Sequence, residues 1–315
     1  MQVFKNFYLV KRVFHFYHLL TVFIPLSYIA SVIKDIFTNI FDKCVSQLVM
    51  NNGGKRFNPR KKILSYWWNG EGNRNFGDLV TPYLIEKMTG GKVFWCNPHF
   101  CLKKYYVVTG SVLQMINRNA IVWGAGILFH GDKISKPKQV LAVRGPLSRN
   151  RILELGYDCP EIYGDPALLL PQLYTPKTKK EYEVGIIPHY VDYEKVKGAV
   201  KAESVLVINV FDHVEKVVDD INRCKRTISS SLHGIITSHA YEIPSIWVRF
   251  SDQLAGQDIK FEDYFLSVKI DAYKPFNLTS DIPELKGLLD LFKGYNKPVI
   301  DTTKLMSVCP FVSIR

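Results

Sequence analysis

The sequence has no Cys-x-x-Cys pair: its six cysteines, Cys44, Cys96, Cys101, Cys159, Cys224 and Cys309, are scattered over 315 residues. Structural zinc needs closely spaced pairs of ligands, and small secreted folds are dense in cysteine. The pattern therefore argues against both and predicts reduced thiols in a cytosolic protein. A dinucleotide fingerprint is also missing, because Gly124-Ala125-Gly126 has neither the third glycine nor the acid further on. The chain has no internal repeat and no low-complexity tract. No metal and no resident cofactor is expected.

Acidic residues are scarce at one end. Residues 1–62 hold ten Lys or Arg against Asp35 and Asp42, a net +8 that leaves only +4 of the total +12 for the rest of the chain. The basic character belongs to this segment, and no basic-aromatic motif of a nucleic-acid module accompanies it, so nucleic acid is not an expected partner. Within it, residues 13–33 carry no Asp, Glu, Lys or Arg and are rich in Phe, Tyr, Leu, Ile and Val, with Lys11-Arg12 before and Lys34 after. That length could span a bilayer, while His15, His18 and Pro25 and the aromatics suit attachment along its surface. No small-residue cleavage site follows, which argues against a cleaved signal peptide. Residues 1–60 are thus read as an apolar, basic, membrane-associating extension, and the protein as cytoplasmic at the inner face of the membrane.

Beyond Gly53-Gly54 the pattern changes to short apolar runs alternating with helical stretches. Strands are predicted over 63–68, 105–109, 120–123 and 140–143, a helix from about Thr81-Pro82, and another opened by Pro146 and closed by Gly156. Residues 173–182 read as a linker. Strands at 184–187, 205–210, 227–229 and 246–250 then alternate with helices at 193–200, 214–224 and 232–241. Alternation of this kind implies parallel sheets with crossover helices. The expected fold class is α/β, with two Rossmann-like domains over 61–172 and 183–315 and ligands at the C-terminal ends of the strands.

The polar clusters all follow strands. Asn75-Phe76-Gly77-Asp78 comes after the first, Arg144-Gly145-Pro146 after a later one, His189 after Ile186-Ile187-Pro188, and Ser229-Ser230-Ser231-Leu232-His233-Gly234 after Ile228. A strand running straight into a helix leaves unpaired N–H groups and positive dipole potential at the turn, which suits an anion such as phosphate. His233 adds a group that titrates near neutrality. His239, about 240° around the same helix, cannot face the same way.

With Trp123-Gly124-Ala125-Gly126, Val143-Arg144-Gly145-Pro146 and Gly164-Asp165-Pro166-Ala167, these motifs over residues 63–267 resemble the polysaccharide pyruvyl transferase family. The resemblance implies a glycosyltransferase B-type arrangement of two domains facing a cleft. It also implies transfer of the pyruvyl group of phosphoenolpyruvate, as donor substrate, onto a sugar of a polysaccharide or its lipid-linked precursor as a cyclic ketal. Such chemistry needs anion clamps around a general acid and base. His233 is expected as acid and Asp78 as base or sugar-orienting group, with Arg144, Ser230, Ser231, His189 and Asn75 binding substrate. Where the family has arginine before Leu-His, this chain has Ser231; the missing charge could come from Arg149, Arg226 or Lys260, with Lys260 the first choice. A nucleotide-sugar glycosyltransferase of the same fold and a non-catalytic, membrane-tethered sugar-binding protein are the alternatives.

Overall fold

The computed structural model describes residues 62–70, 75–253 and 258–311. Contacts divide the chain into Met1–Pro59 and Arg60–Arg315, and all that follows concerns the second unit. The expected extension over 1–60 lies outside the described residues. Among the described residues no helix is long and apolar enough to cross a membrane.

Two five-stranded sheets, parallel throughout, form the frame. The first contains β1 (Ile63–Tyr66), β2 (Val93–Trp95), β3 (Tyr105–Val107), β4 (Ala120–Trp123) and β5 (Gln139–Ala142), in the order β2-β1-β3-β4-β5. The second contains β6 (Val184–Ile187), β7 (Val205–Val207), β8 (Thr227–Ser229), β9 (Ser245–Arg249) and β10 (Phe276–Asn277), in the order β10-β9-β8-β6-β7. Counted from its own first strand, each sheet is wound 2-1-3-4-5. In that order the direction of winding reverses between the first and third strands, and the crevice there, at the strand C-terminal ends, is where ligands bind in open parallel sheets. The interior strands β4 and β6 are buried on both faces, which is why both read as unbroken apolar runs.

The helices that matter for the site follow the strands. After β1 comes α1 (Phe76–Thr89), and after β5 comes α2 (Pro146–Glu154), opened by Pro146 as expected. The short α3 (Leu170–Leu173) ends the first half. The second half contains α4 (Tyr193–Ala199), α5 (Val214–Asn222), α6 (Leu232–Ala240) directly after β8, α7 (Ile259–Ser267) and α8 (Leu285–Asp290); α9 (Thr303–Ser307) lies near the end. One hydrophobic cluster runs through both halves, joining Phe76, Leu84 and Trp123 to Ile187, Trp247 and Phe261. The last elements return to the first sheet: the Trp123 indole donates to the Leu305 carbonyl at 3.0 Å, and Phe311 packs edge-on against Trp123 and Tyr106.

One expectation changes, and one helix was not predicted. Helix α1 starts at Phe76 rather than near Thr81-Pro82, because Asn75 caps it: its Oδ1 accepts from the Gly77 N–H at 3.3 Å. Pro82 is therefore inside the helix, and lacking an N–H it leaves the Asp78 carbonyl without its helical donor. The segment around Lys260 is the buried helix α7, with Phe261, Asp263, Tyr264 and Phe265 all buried.

Candidate active site

Side chains from the C-terminal ends of both sheets meet. The Phe76 N–H donates to the Val210 carbonyl at 2.7 Å, so the first turn of α1 sits against the loop that follows β7. That turn presents Asp78. The start of α6 presents His233, whose ring lies so close to Gly77 that a Cβ there would collide with it. On the ring's other side, Nε2 is 3.5 Å from Oδ2 of Asp165. Asp165 is fully buried, its Oδ1 accepts from the Ala167 N–H at 2.9 Å, and Oδ2 has no hydrogen-bond partner besides this approach. The carboxylate faces the ring edge at ion-pair distance, and neither Nε2 nor Oδ2 makes a hydrogen bond among the described residues, while Nδ1 lies on the Gly77 side. His233 keeps 12% of its side chain exposed. Asp165 sits in the Gly-Asp-Pro motif noted above, but nothing in the sequence paired it with His233.

Burial pushes Asp78 up to about 7, against the pull of His233 and Lys260, so it is poised between its charged and neutral forms at neutral pH. Burial is also the main reason Lys260 is lowered to about 8, with Arg144 adding repulsion while Asp258 and Asp78 oppose the shift. His189 is lowered to about 4, by burial first and Lys260 second. It is a neutral ring at pH 7, and its buried Nδ1 has no hydrogen-bond partner among the described residues. These influences link Asp78 to His233 and Lys260, and Lys260 to His189.

The other expected site residues divide into two groups. Ser230 accepts the His189 N–H on its Oγ at 2.9 Å and so fixes that loop. Ser231 is the N-cap of α6 but makes no cap hydrogen bond with its side chain; Ser229 holds the turn, bonding the Ile187 and Ser231 carbonyls and the Ser231 N–H. Asn75 is the α1 cap. Arg144, expected to be a direct anion clamp, is fully buried: Nε donates to Asp263 Oδ2 at 3.0 Å, Nη1 to Ser111 Oγ at 2.6 Å and Nη2 to the Ile127 carbonyl at 2.8 Å. The anion at the α2 N-terminus is also Asp263, which accepts from the Ser148 N–H and hydroxyl. This packing gives Arg144 a supporting position beside Lys260. Of the three candidate cations, Arg149 donates to the Cys159 carbonyl, Arg226 lies over Phe292 and Lys260 lies over Phe261; Lys260 is the one whose charge is felt by Asp78 and His189 among the described residues. His239 is buried against Tyr264, its Nδ1 3.0 Å from the phenol oxygen.

Two doubly wound parallel sheets, with an acid–base cluster gathered at their strand ends, define an α/β protein with an enzyme-like site. A profile of the polysaccharide pyruvyl transferase family matches residues 28–252, and the chain belongs to that family. The family implies transferase activity and a sugar acceptor in polysaccharide synthesis. An uncharacterized protein, L143, of Acanthamoeba polyphaga mimivirus is 33% identical over 244 residues, covering 72% of this chain and 81% of that protein. No solved structure matches.

Proposed function

We propose that the protein transfers the pyruvyl group of phosphoenolpyruvate to two hydroxyls of a sugar, forming a cyclic ketal and releasing phosphate. The observation that carries this reading is Asp78, pushed up to about 7 beside His233 and Lys260. The reaction asks for a group that exchanges protons at neutral pH next to a cation. One proton is added to the methylene carbon of the donor, and the first sugar hydroxyl bonds to the neighbouring carbon as it gives up its own. The second hydroxyl then displaces phosphate, and its proton leaves with that group. His233, oriented by Asp165, is the donor to the methylene carbon; Asp78 takes the proton of the attacking hydroxyl. Lys260 and the N-terminus of α6, with Ser230 and Ser231, hold the phosphate or carboxylate. Neutral His189 orients substrate by hydrogen bonding. Arg144 adds positive potential from behind, and Asn75 sets the start of α1.

In this reading the two sheets face each other as in B-type glycosyltransferases, and residues 13–33 with their basic flanks bring the protein to the inner face of the membrane, where a lipid-linked acceptor resides. The test is incubation of the full chain with phosphoenolpyruvate and a panel of lipid-linked and free saccharides, following phosphate release and a mass gain of one pyruvyl unit. Saturation by a nucleotide sugar, with no response to phosphoenolpyruvate, would instead make it a glycosyltransferase.

A further inference from the structure

Three rings form a line leading out of the site. His189 follows β6 and lies against Tyr190, with centroids 4.3 Å apart and planes at 35°. Tyr190 in turn meets Phe211, which follows β7, at 5.6 Å and 44°. Phe211 ends the line with 41% of its surface exposed. Its loop is fixed: Asn209 Oδ1 accepts from the Phe211 N–H at 3.0 Å, and Asn209 Nδ2 donates to Asp212 Oδ1 at 3.3 Å. The preceding residue, Val210, receives the Phe76 N–H, so Phe211 lies alongside the turn of α1 that carries Asp78.

The Phe211 ring is part exposed, packed on Tyr190 and carried by a loop whose backbone is hydrogen-bonded to Asn209. It matches one kind of ligand. A pyranose ring has an apolar face of C–H bonds and a rim of hydroxyls; packing that face on an aromatic surface binds the sugar without engaging its hydroxyls. Ketal formation consumes two hydroxyls, so an acceptor site needs a hold that leaves them free.

We propose that Phe211 and Tyr190 form the acceptor subsite, a shelf on which the C–H face of a pyranose residue lies with its hydroxyl rim toward Asp78 and His233. The proposal rests on the pyruvyl-transfer reading for its choice of acceptor, but its test does not need turnover. The full chain and its Phe211→Ala and Phe211→Trp variants are applied to an array of pyranose oligosaccharides, and the thermal shift of each with phosphoenolpyruvate is measured in parallel. The expected result is that Phe211→Ala loses at least tenfold in glycan signal, that Phe211→Trp retains it, and that the phosphoenolpyruvate shift is the same in all three. Undiminished glycan binding by Phe211→Ala overturns the shelf, as does a wild-type protein that binds no pyranose. Loss of the phosphoenolpyruvate response along with the glycan signal also overturns it, because the ring would then be supporting the site as a whole. Glycan binding that depends on Phe211, in a protein that neither responds to phosphoenolpyruvate nor releases phosphate from it, leaves the shelf standing and ends the pyruvyl-transfer reading.

Discussion

Asp78 sets the pH behaviour of this site in two ways. Its carboxyl rises from the ordinary 3.8 to about 7 on folding. Between those values the folded protein holds a proton that the unfolded chain has released, so stability falls as pH rises through this window and the full cost is present above pH 7. Asp78→Asn is therefore expected to raise Tm at pH 8 and to leave it nearly unchanged at pH 4, by calorimetry at both pH values, while turnover falls by about 10²- to 10⁴-fold. Lys260 works in the opposite sense. Lowered to about 8, it loses its charge as pH rises through that value, and affinity for phosphoenolpyruvate should fall with it. A guanidinium stays charged, so Lys260→Arg is expected to keep binding at pH 9.5 where the native protein loses it; titrations at pH 7 and 9.5 that fall together for both would exclude the lysine as the anion's partner. Asp78, His189 and His233 were legible in the sequence because each follows a strand, whereas Lys260 was reached only as the cation that could replace the family's arginine. The pairing of His233 with Asp165 was not, since it depends on a contact 68 residues apart in the chain and on the glycine at 77 that lets the ring approach.

At the level of elements, the junction of α2 and α7 decides whether the site is assembled. Arg144, Ser148 and Asp263 are all fully buried, so each depends on the others for its hydrogen bonds. Arg144→Ala leaves the Asp263 carboxylate buried without its cation and is expected to cost about 3–5 kcal/mol in urea unfolding. Arg144→Met combined with Asp263→Leu removes both charges and should recover most of that loss; a double variant as unstable as the single one would show that the charge pair is not what holds the junction. Because α7 carries Lys260 as well as Asp263, loosening it should also weaken phosphoenolpyruvate binding. Sequence patterning located most strands and helices, since β4, β6 and β8 are short buried runs with turn residues on either side. It missed β2, whose residues alternate in burial over only three positions, and misplaced the start of α1, where Pro82 looked like a first-turn proline and Asn75 is the cap. It also missed α7: Lys260, Glu262 and Asp263 look like an exposed turn until Arg144 supplies the charge that lets Asp263 be buried.

Across the whole molecule, the first sheet depends on a segment far from it in sequence. Phe311 fills the space against Trp123 and Tyr106, and the Leu305 carbonyl receives the Trp123 indole. Phe311→Ala is expected to destabilise the protein by about 3–5 kcal/mol, read from the urea midpoint with the slope unchanged; a shift of only a few tenths would mean that the terminal segment merely rests on the sheet. The order in which the chain is made gives this return a further consequence. Synthesis runs from the N-terminus, and domains ordinarily fold as they emerge. Here β1 to β5 can pair early, but the cap over Trp123 and Tyr106 is made long afterwards, Leu305 lying 182 residues beyond Trp123. A nascent chain stalled before residue 303 would display an uncovered indole and phenol, and native packing of the first sheet must wait until residues 303–311 have been made.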